Sequence, residues 1–302
     1  MISIFTPTFN RANKIYRVFD SLINQTYKDF EWVIIDDGSK DNIEEVIFDF
    51  KKKSDFPIQF YKFEINKGKH IATNKALELA KGQFFVVADS DDAFTFDALE
   101  FFMNGWKSIL ESEKNNFIGI RACCNDQFGH RISDSIKNEP LDCTMAEAFY
   151  SHNFRKESWT MVCTDWHRKF LFPQNHIGYF PEGIIWKAMT RDKKLRFFNK
   201  ATRVYYVEEE NSLMRTNLPA QKKVTRTLVN VIDVLNNDLN YFWNYPSYFF
   251  KSFILFYCYF FYLNGFKYFK NLNTISKMLI VLLLPFGVII HSIFRIYNLS
   301  RQ

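Results

Sequence analysis

The chain has no glycine-rich turn of the G-x-G-x-x-G kind after its first strand and no G-x-x-x-x-G-K-[ST] loop. Those absences argue against a nicotinamide enzyme and against a P-loop ATPase. Cysteine is scarce. Cys123, Cys124, Cys143, Cys163 and Cys258 are odd in number and lack metal-ligand spacing, so they read as reduced cytosolic thiols. No signal peptide is expected, because ISIFTPTFN begins the first strand at once. Internal repeats and low-complexity linkers are also missing. Negative charge runs out early: no Asp or Glu follows Asp238.

What is present is apolar and aromatic. Hydrophobic residues make up 47% of the 302 positions and aromatics 19%, with 35 Phe. That is enough for a sizeable core in one large domain or two small ones. The formal net charge of +6 permits attraction to phosphates or to an anionic membrane and does not choose between them. No nucleic-acid partner is expected.

The pattern along the chain alternates. Ile2 to Thr6 reads as a strand stopped by Pro7, followed by a helix with Asn10 as its N-cap and Ile15, Val18, Phe19, Leu22 and Ile23 at helical spacing. Phe30 to Ile35 is a second strand, and Ile43, Val46, Ile47 and Phe50 mark the next helix. Ile58 to Phe63 is a third strand, Ile71 to Ala80 a helix, and Phe84 to Ala88 a fourth strand. Regular alternation predicts an α/β fold with a mainly parallel sheet covered on both faces, where ligands sit at the carboxyl ends of the strands. Three of the four strand ends are polar: TPTFN, DDGS and DSDD. Further on, Phe96 to Leu110 reads as a helix, Phe117 to Cys123 as a strand, and Leu195 to Tyr206 as strand, turn and strand.

The stretch GQFFVVADSDDAF, Gly82 to Phe94, concentrates the chemistry. Asp89, Asp91 and Asp92 crowd the end of an apolar strand, and uncompensated carboxylates at that spacing repel one another. A divalent cation resolves the repulsion, and hard oxygen ligands favour Mg²⁺ or Mn²⁺. The bland alternative is a solvated acidic turn that caps the next helix. Asp36 and Asp37 equally suit an Asx-type turn. Gly68 lets the backbone approach a ligand, and Lys69 either neutralises phosphate or belongs to a solvated basic loop. His152, Trp159, Asp165 and His167 are candidates for contact with a substrate, set against the structural or merely exposed role that a lone His or Trp usually has.

TPTFNR, VIIDDGSKD, NKGKHIATNKALELAKGQFFVVADSDD and FPEGIIWKAM together resemble a family 2 glycosyltransferase of the GT-A fold, over roughly residues 1 to 215. The resemblance implies transfer of a sugar from a nucleotide-diphosphate sugar to an acceptor hydroxyl with inversion, in cell-envelope polysaccharide or glycolipid synthesis. It implies that Thr6, Pro7 and Thr8 line a nucleoside pocket, that Asp37 bonds the base, and that Asn66, Lys69 and Asn74 form the next nucleotide-side block. It places Asp89 near the ribose, Asp91 on Mn²⁺ or Mg²⁺ with Asp92 as a second ligand, and Glu182 as the base that deprotonates the acceptor. Relatives often carry a histidine after the tyrosine strand. Here VEEENSLMR stands in that place, leaving Arg215 as the candidate for the diphosphate. Two other readings compete: a catalytically silent nucleotide-sugar or membrane-binding module, and a nucleotidyltransferase.

The expected organisation is a catalytic domain over 1–215, with a nucleotide-sugar half at 1–115 and an acceptor half at 116–215. A helical, basic and aromatic tail follows over 216–302. In that tail Tyr248 to Leu263 is nearly all apolar or aromatic, and MLIVLLLPFGVII is shorter than the roughly 20 residues of a spanning helix and is interrupted by Pro285. Lys251, Lys267, Lys270, Lys277, Arg295 and Arg301 accompany these runs. The expectation is a peripheral or monotopic enzyme with interfacial or re-entrant helices on the anionic cytoplasmic leaflet, working on a saccharide or lipid-linked saccharide. The alternative is a helical pair packed on the catalytic domain or on a partner in a homo-oligomer.

Overall fold

β1 (Ile2–Thr8) and β2 (Phe30–Asp36) are buried almost from end to end, as interior strands of a sheet covered on both faces must be. They pair in parallel from Ile2 against Phe30 to Thr8 against Asp36. This computed structural model describes residues 1–174, 180–207, 220–260 and 265–289. The stretch from Glu208 through Arg215, residues 261–264 and residues 290–302 lie outside them, as do the expectations placed there.

Around β1 and β2 the chain lays down α1 (Tyr16–Ile23), α2 (Ile43–Lys53), β3 (Ile58–Lys62), α3 (Lys69–Leu79) and β4 (Phe84–Val87). Phe19 of α1 stacks on Phe50 of α2 with ring centroids 4.0 Å apart, over the buried Trp32. β5 (Ala93–Phe94), α4 (Ala98–Lys107), β6 (Phe117–Asp126), β7 (Leu141–Cys143), α5 (Met145–Tyr150), β8 (Ser158–Cys163), α6 (Thr164–His167), α7 (Glu182–Met189) and β9 (Lys194–Tyr205) complete this part. Among the described residues nine strands form one sheet. Eight run in the order β3-β2-β1-β4-β8-β6-β9-β5, and β7 pairs with β9. β3, β2, β1 and β4 are mutually parallel, whereas β8 joins β4 and β6 antiparallel. The sheet is therefore mixed, with its parallel half at the N-terminal end. The chain moves outward from β1 to β2 and β3, then returns to the other side of β1 as β4. That reversal opens a crevice at the carboxyl ends of β1 and β4.

Three expectations about elements change. β1 continues through Pro7 to Thr8, because Pro7 lies opposite Ile35 at the end of the ladder. Asn10 is not an N-cap: it adopts φ 51°, and its Oδ1 accepts from the Lys40 N–H at 2.9 Å. The expected hairpin over Leu195 to Tyr206 is one strand. Asn199, the intended turn residue, instead exchanges two 2.8 Å hydrogen bonds with the Ile136 backbone. The ladder of β9 with β6 absorbs the irregularity through register shifts.

The chain divides into two compact units, Met1–Ser212 and Leu213–Gln302. In the second, α8 (Ala220–Asn237), α9 (Pro246–Phe260), α10 (Phe266–Lys270) and α11 (Thr274–Leu282) share an apolar centre that includes Leu228, Leu235, Phe256 and Ile280. Asn273 donates two 2.8 Å hydrogen bonds to Asn236, from its backbone N–H to Oδ1 and from Nδ2 to the carbonyl, and Ser276 Oγ donates to the Leu235 carbonyl at 2.7 Å. No described helix is long and apolar enough to cross a membrane.

Candidate active site

The loops after β1 and β2 are stitched to each other. Asp37 N–H donates to the Thr8 carbonyl at 2.8 Å, Asn10 N–H to Ser39 Oγ at 2.8 Å, and Ala12 N–H to Asp41 Oδ2 at 2.8 Å. Asp37 is nearly buried. Its two oxygens accept from the Lys67 and Gly68 N–H groups at 2.7 and 2.8 Å, so it pins the loop before α3. Gly68 takes φ 93° there, which a side chain would resist. Burial pushes the carboxyls of Asp36 and Asp37 up, against the hydrogen bonds that favour their charged forms.

The acidic end of β4 is held by cations. Arg203 of β9 donates from Nε to Asp92 Oδ2 at 2.6 Å and from Nη2 to Asp89 Oδ2 at 3.1 Å. Arg11 pairs with Asp91, and Arg17 donates to the Asp91 carbonyl at 3.0 Å while lying 3.9 Å from the Tyr206 ring centroid. Lys69, at the start of α3, bridges Asp89 at 2.7 Å and Glu182 at 3.1 Å. One ammonium thus joins the end of β4 to the first residue of α7.

The three carboxylates differ. Asp92 is 2% exposed, so the expected second metal ligand is instead a buried partner of Arg203. Burial raises its carboxyl to about 7 despite Arg203, with Asp89 and Asp91 pushing the same way. Asp89 is also desolvated, but Lys69 and Arg203 overcome that and hold it down at about 2. The Lys69 ammonium, although buried, is kept well above the usual lysine range by Asp89 and Glu182. Asp91 is 22% exposed and shares its carboxylate with Arg11.

Other expected residues lie elsewhere. Asn74 exchanges hydrogen bonds with the Phe172 backbone at 2.8 and 2.9 Å, tying α3 to the chain before α7 rather than facing the crevice. Thr6 is buried and accepts from Trp32 Nε1 at 2.8 Å. Pro7 is half-buried and Asn66 exposed. The Thr8 hydroxyl is buried with no partner among the described residues, a polar group suited to a ligand. Trp159 belongs to the core, stacked on Phe94 at 4.4 Å and donating to the Val87 carbonyl at 2.6 Å. His167 is buried against Phe85 and Trp186. His152 is exposed, and Asp165 pairs with Arg168 at 2.7 Å on the surface. The reading from sequence passed over Arg11, Arg17 and Arg203. A signal existed for Arg203: it is a cation alternating with apolar residues in a strand, and so asks for a buried partner.

Among the described residues no three His, Cys, Asp or Glu side chains form a ready-made metal cage. Asp91 and Asp89 nevertheless offer hard oxygens at the crevice, and the cations around them could also meet phosphate. That donor set fits Mg²⁺ or Mn²⁺ held by one or two carboxylates, with the remaining ligands from a diphosphate and water.

The sequence model of the family described as "Glycosyl transferase family 2" matches residues 3–172. A Campylobacter jejuni protein named GalNAc(5)-diNAcBac-PP-undecaprenol beta-1,3-glucosyltransferase is 23% identical over 247 residues, 79% of this chain and 75% of that protein. A Rickettsia bellii uncharacterized glycosyltransferase is 28% identical over 249 residues, and the match spans only 32% of its length. Among solved structures, S. aureus TarS 1–349 in complex with UDP-GlcNAc superposes with a TM-score of 0.66 at 16% identity, covering 96% of this chain and 88% of that one. The Pyrobaculum calidifontis mannosyltransferase PcManGT in complex with GDP-Man and Mn²⁺ gives 0.51 at 17% identity, covering 78% and 61%.

Proposed function

The chain belongs to glycosyl transferase family 2, and on that footing we propose that it transfers a sugar from a nucleotide-diphosphate sugar to an acceptor hydroxyl with inversion. The single observation that carries the reading is Lys69 poised between Asp89 and Glu182. It brings a donor-side carboxylate and an acceptor-side carboxylate to one ammonium, at the crevice where an α/β sheet takes its ligands.

The roles follow from the surroundings. Thr8, with its unsatisfied hydroxyl, and the loop pinned by Asp37 bound the nucleoside side. Asp89, held ionised by Lys69 and Arg203 and 30% exposed, accepts from the ribose. Lys69 and Arg11 neutralise the diphosphate. Asp91, with Asp89 near it, would hold Mn²⁺ or Mg²⁺, which supplies positive charge to a leaving diphosphate. Arg203, anchored on the buried Asp92, keeps Asp89 in place, and Arg11 and Arg17 keep Asp91. Glu182 takes the acceptor proton as the acceptor oxygen attacks opposite the leaving group.

For the acceptor we propose a lipid-linked saccharide at the cytoplasmic face of the membrane. The support is the polyprenyl-linked acceptor in the Campylobacter relative's name together with the basic, apolar second unit of this chain. A panel of nucleotide sugars, assayed with Mn²⁺ and with chelator, tests the donor. Glu182→Gln should leave donor affinity near wild type and slow transfer by roughly 10²–10⁴-fold, the usual contribution of a general base. A variant that transfers at the native rate, or an NMR-assigned product that keeps the donor's anomeric configuration, overturns the roles proposed.

A further inference from the structure

α11 is mostly apolar, and only one of its sides is covered. Ser276 and Ile280 are buried against α8 and α9, with Tyr257 OH donating to the Ile280 carbonyl at 2.5 Å. On the opposite side Ile275 is 65% exposed, Met278 67% and Leu282 73%, at the i, i+3, i+7 spacing of one helix face. The apolar stripe continues past the helix end through Phe286 and Ile289, both more than half exposed. A bare apolar stripe of this extent marks an interaction surface.

Charge selects the partner. The Leu213–Gln302 unit carries ten Lys and Arg against two acids, Asp233 and Asp238, and both acids are buried. Lys251, Lys267 and Lys270 are exposed and Lys277 half-buried, so every described side-chain charge at this unit's surface is positive. A second copy of this chain would bring like charge to like charge. An anionic lipid leaflet offers both an apolar interior for the stripe and negative headgroups for the lysines. At nine residues, α11 rises only about 14 Å, short of a bilayer core of about 30 Å, which favours a placement in the membrane plane.

We propose that the Ile275, Met278 and Leu282 face of α11, continued by Phe286 and Ile289, inserts into the headgroup boundary of an anionic membrane. This deepens the membrane placement proposed above and rests on it. The exposed lysines of this unit supply the attraction to the headgroups, and the Ser276 and Ile280 face keeps the helix fastened to α8 and α9.

The test is flotation of the full chain with vesicles of phosphatidylcholine alone or mixed with phosphatidylglycerol. Binding should require the anionic lipid. Met278→Glu and Leu282→Glu, both at exposed sites, should each lower partitioning at least tenfold while leaving the thermal transition and donor turnover unchanged. Sedimentation of the same proteins reads the competing occupant. A wild-type dimer that Met278→Glu converts to a monomer, with vesicle binding intact, overturns the proposal. So does equal binding to neutral vesicles. If the wild type floats with anionic vesicles yet turns over no nucleotide sugar, the transferase reading fails and this surface stands.

Discussion

Asp91 differs from its two neighbours in having no deeply buried partner. That difference ranks two residues the sequence leaves equivalent, since DSDD presents both at the same strand end and only burial separates them. Asp91→Asn keeps size and polarity, so the fold should persist while metal-dependent donor turnover falls by about 10²-fold or more, the scale of one lost transition-state contact. Activity that survives in chelator would contradict the assignment. The nucleotide-side block was less legible than the acidic end. Asn74 and Thr6 look like ligand groups in a string of letters, and each proves to be occupied by a backbone carbonyl or an indole N–H. His167 shows the same limit, because both its ring nitrogens are buried without partners and burial lowers it from 6.5 to about 4. The unfolded chain binds a proton below about 6.5 that the folded chain refuses until about 4, so stability falls as pH drops through that window and levels off below it. The loss should approach about 3 kcal/mol. His167→Phe should flatten that part of the curve relative to wild type in urea titrations from pH 7 to 4. A variant with an unchanged slope would show that other groups set it.

At the level of elements, the strands and helices up to β4 were readable because each pairs a short apolar run with a polar turn, and the parallel ladder leaves little choice of register. The later strands were not. β6 and β9 are adjacent and parallel despite some seventy intervening residues, and nothing local in LRFFNKATRVYY announces that partner. The same pairing carries Arg203 to Asp92 and Asp89, which is why a cation from the last strand escaped notice while the acids did not. Gly119 belongs to this hidden geometry: a Cβ there would lie 1.9 Å from the Met161 carbonyl oxygen of β8, so β6 can pass only with glycine. Arg203→Met tests what the contact contributes. It fills similar volume but takes away the partner of Asp92, whose carboxyl, already raised to about 7 beside Arg203, is then protonated near neutral pH. The unfolding free energy should drop by about 1–3 kcal/mol, as for a buried polar group left without its partner. Asp92→Asn in the same background should recover part of that loss, because an amide is buried without first taking up a proton from neutral solvent. No recovery would mean that Arg203 matters through packing alone.

Across the whole molecule, charge is divided unevenly. Residues 1–212 hold 29 basic and 31 acidic side chains, whereas residues 213–302 hold ten and two. The overall +6 therefore understates the field of the second unit and misdescribes that of the first. A leaflet of anionic lipid should attract the second unit through two separable contributions: coulombic attraction of its lysines and arginines, and burial of the bare stripe on α11. They respond differently to salt. The screening length is about 10 Å at 0.1 M and about 3 Å at 1 M, so added salt removes the first and leaves the second. The full-length chain should accordingly leave phosphatidylglycerol vesicles only in part as sodium chloride is raised from about 0.1 to 1 M. Each basic side chain at the surface contributes about 1 kcal/mol at low salt, so partitioning should fall by one to a few powers of ten and then reach a plateau. The plateau should vanish in Leu282→Glu, which keeps nearly all the charge and breaks the stripe. Release that runs to completion in the wild type would make the attachment purely electrostatic. Binding that ignores salt would remove the lysines from it. Donor turnover measured across the same series should be far less sensitive, because the crevice pairs its charges in direct, largely buried contact within residues 1–212, where salt screens them much less than exposed ones.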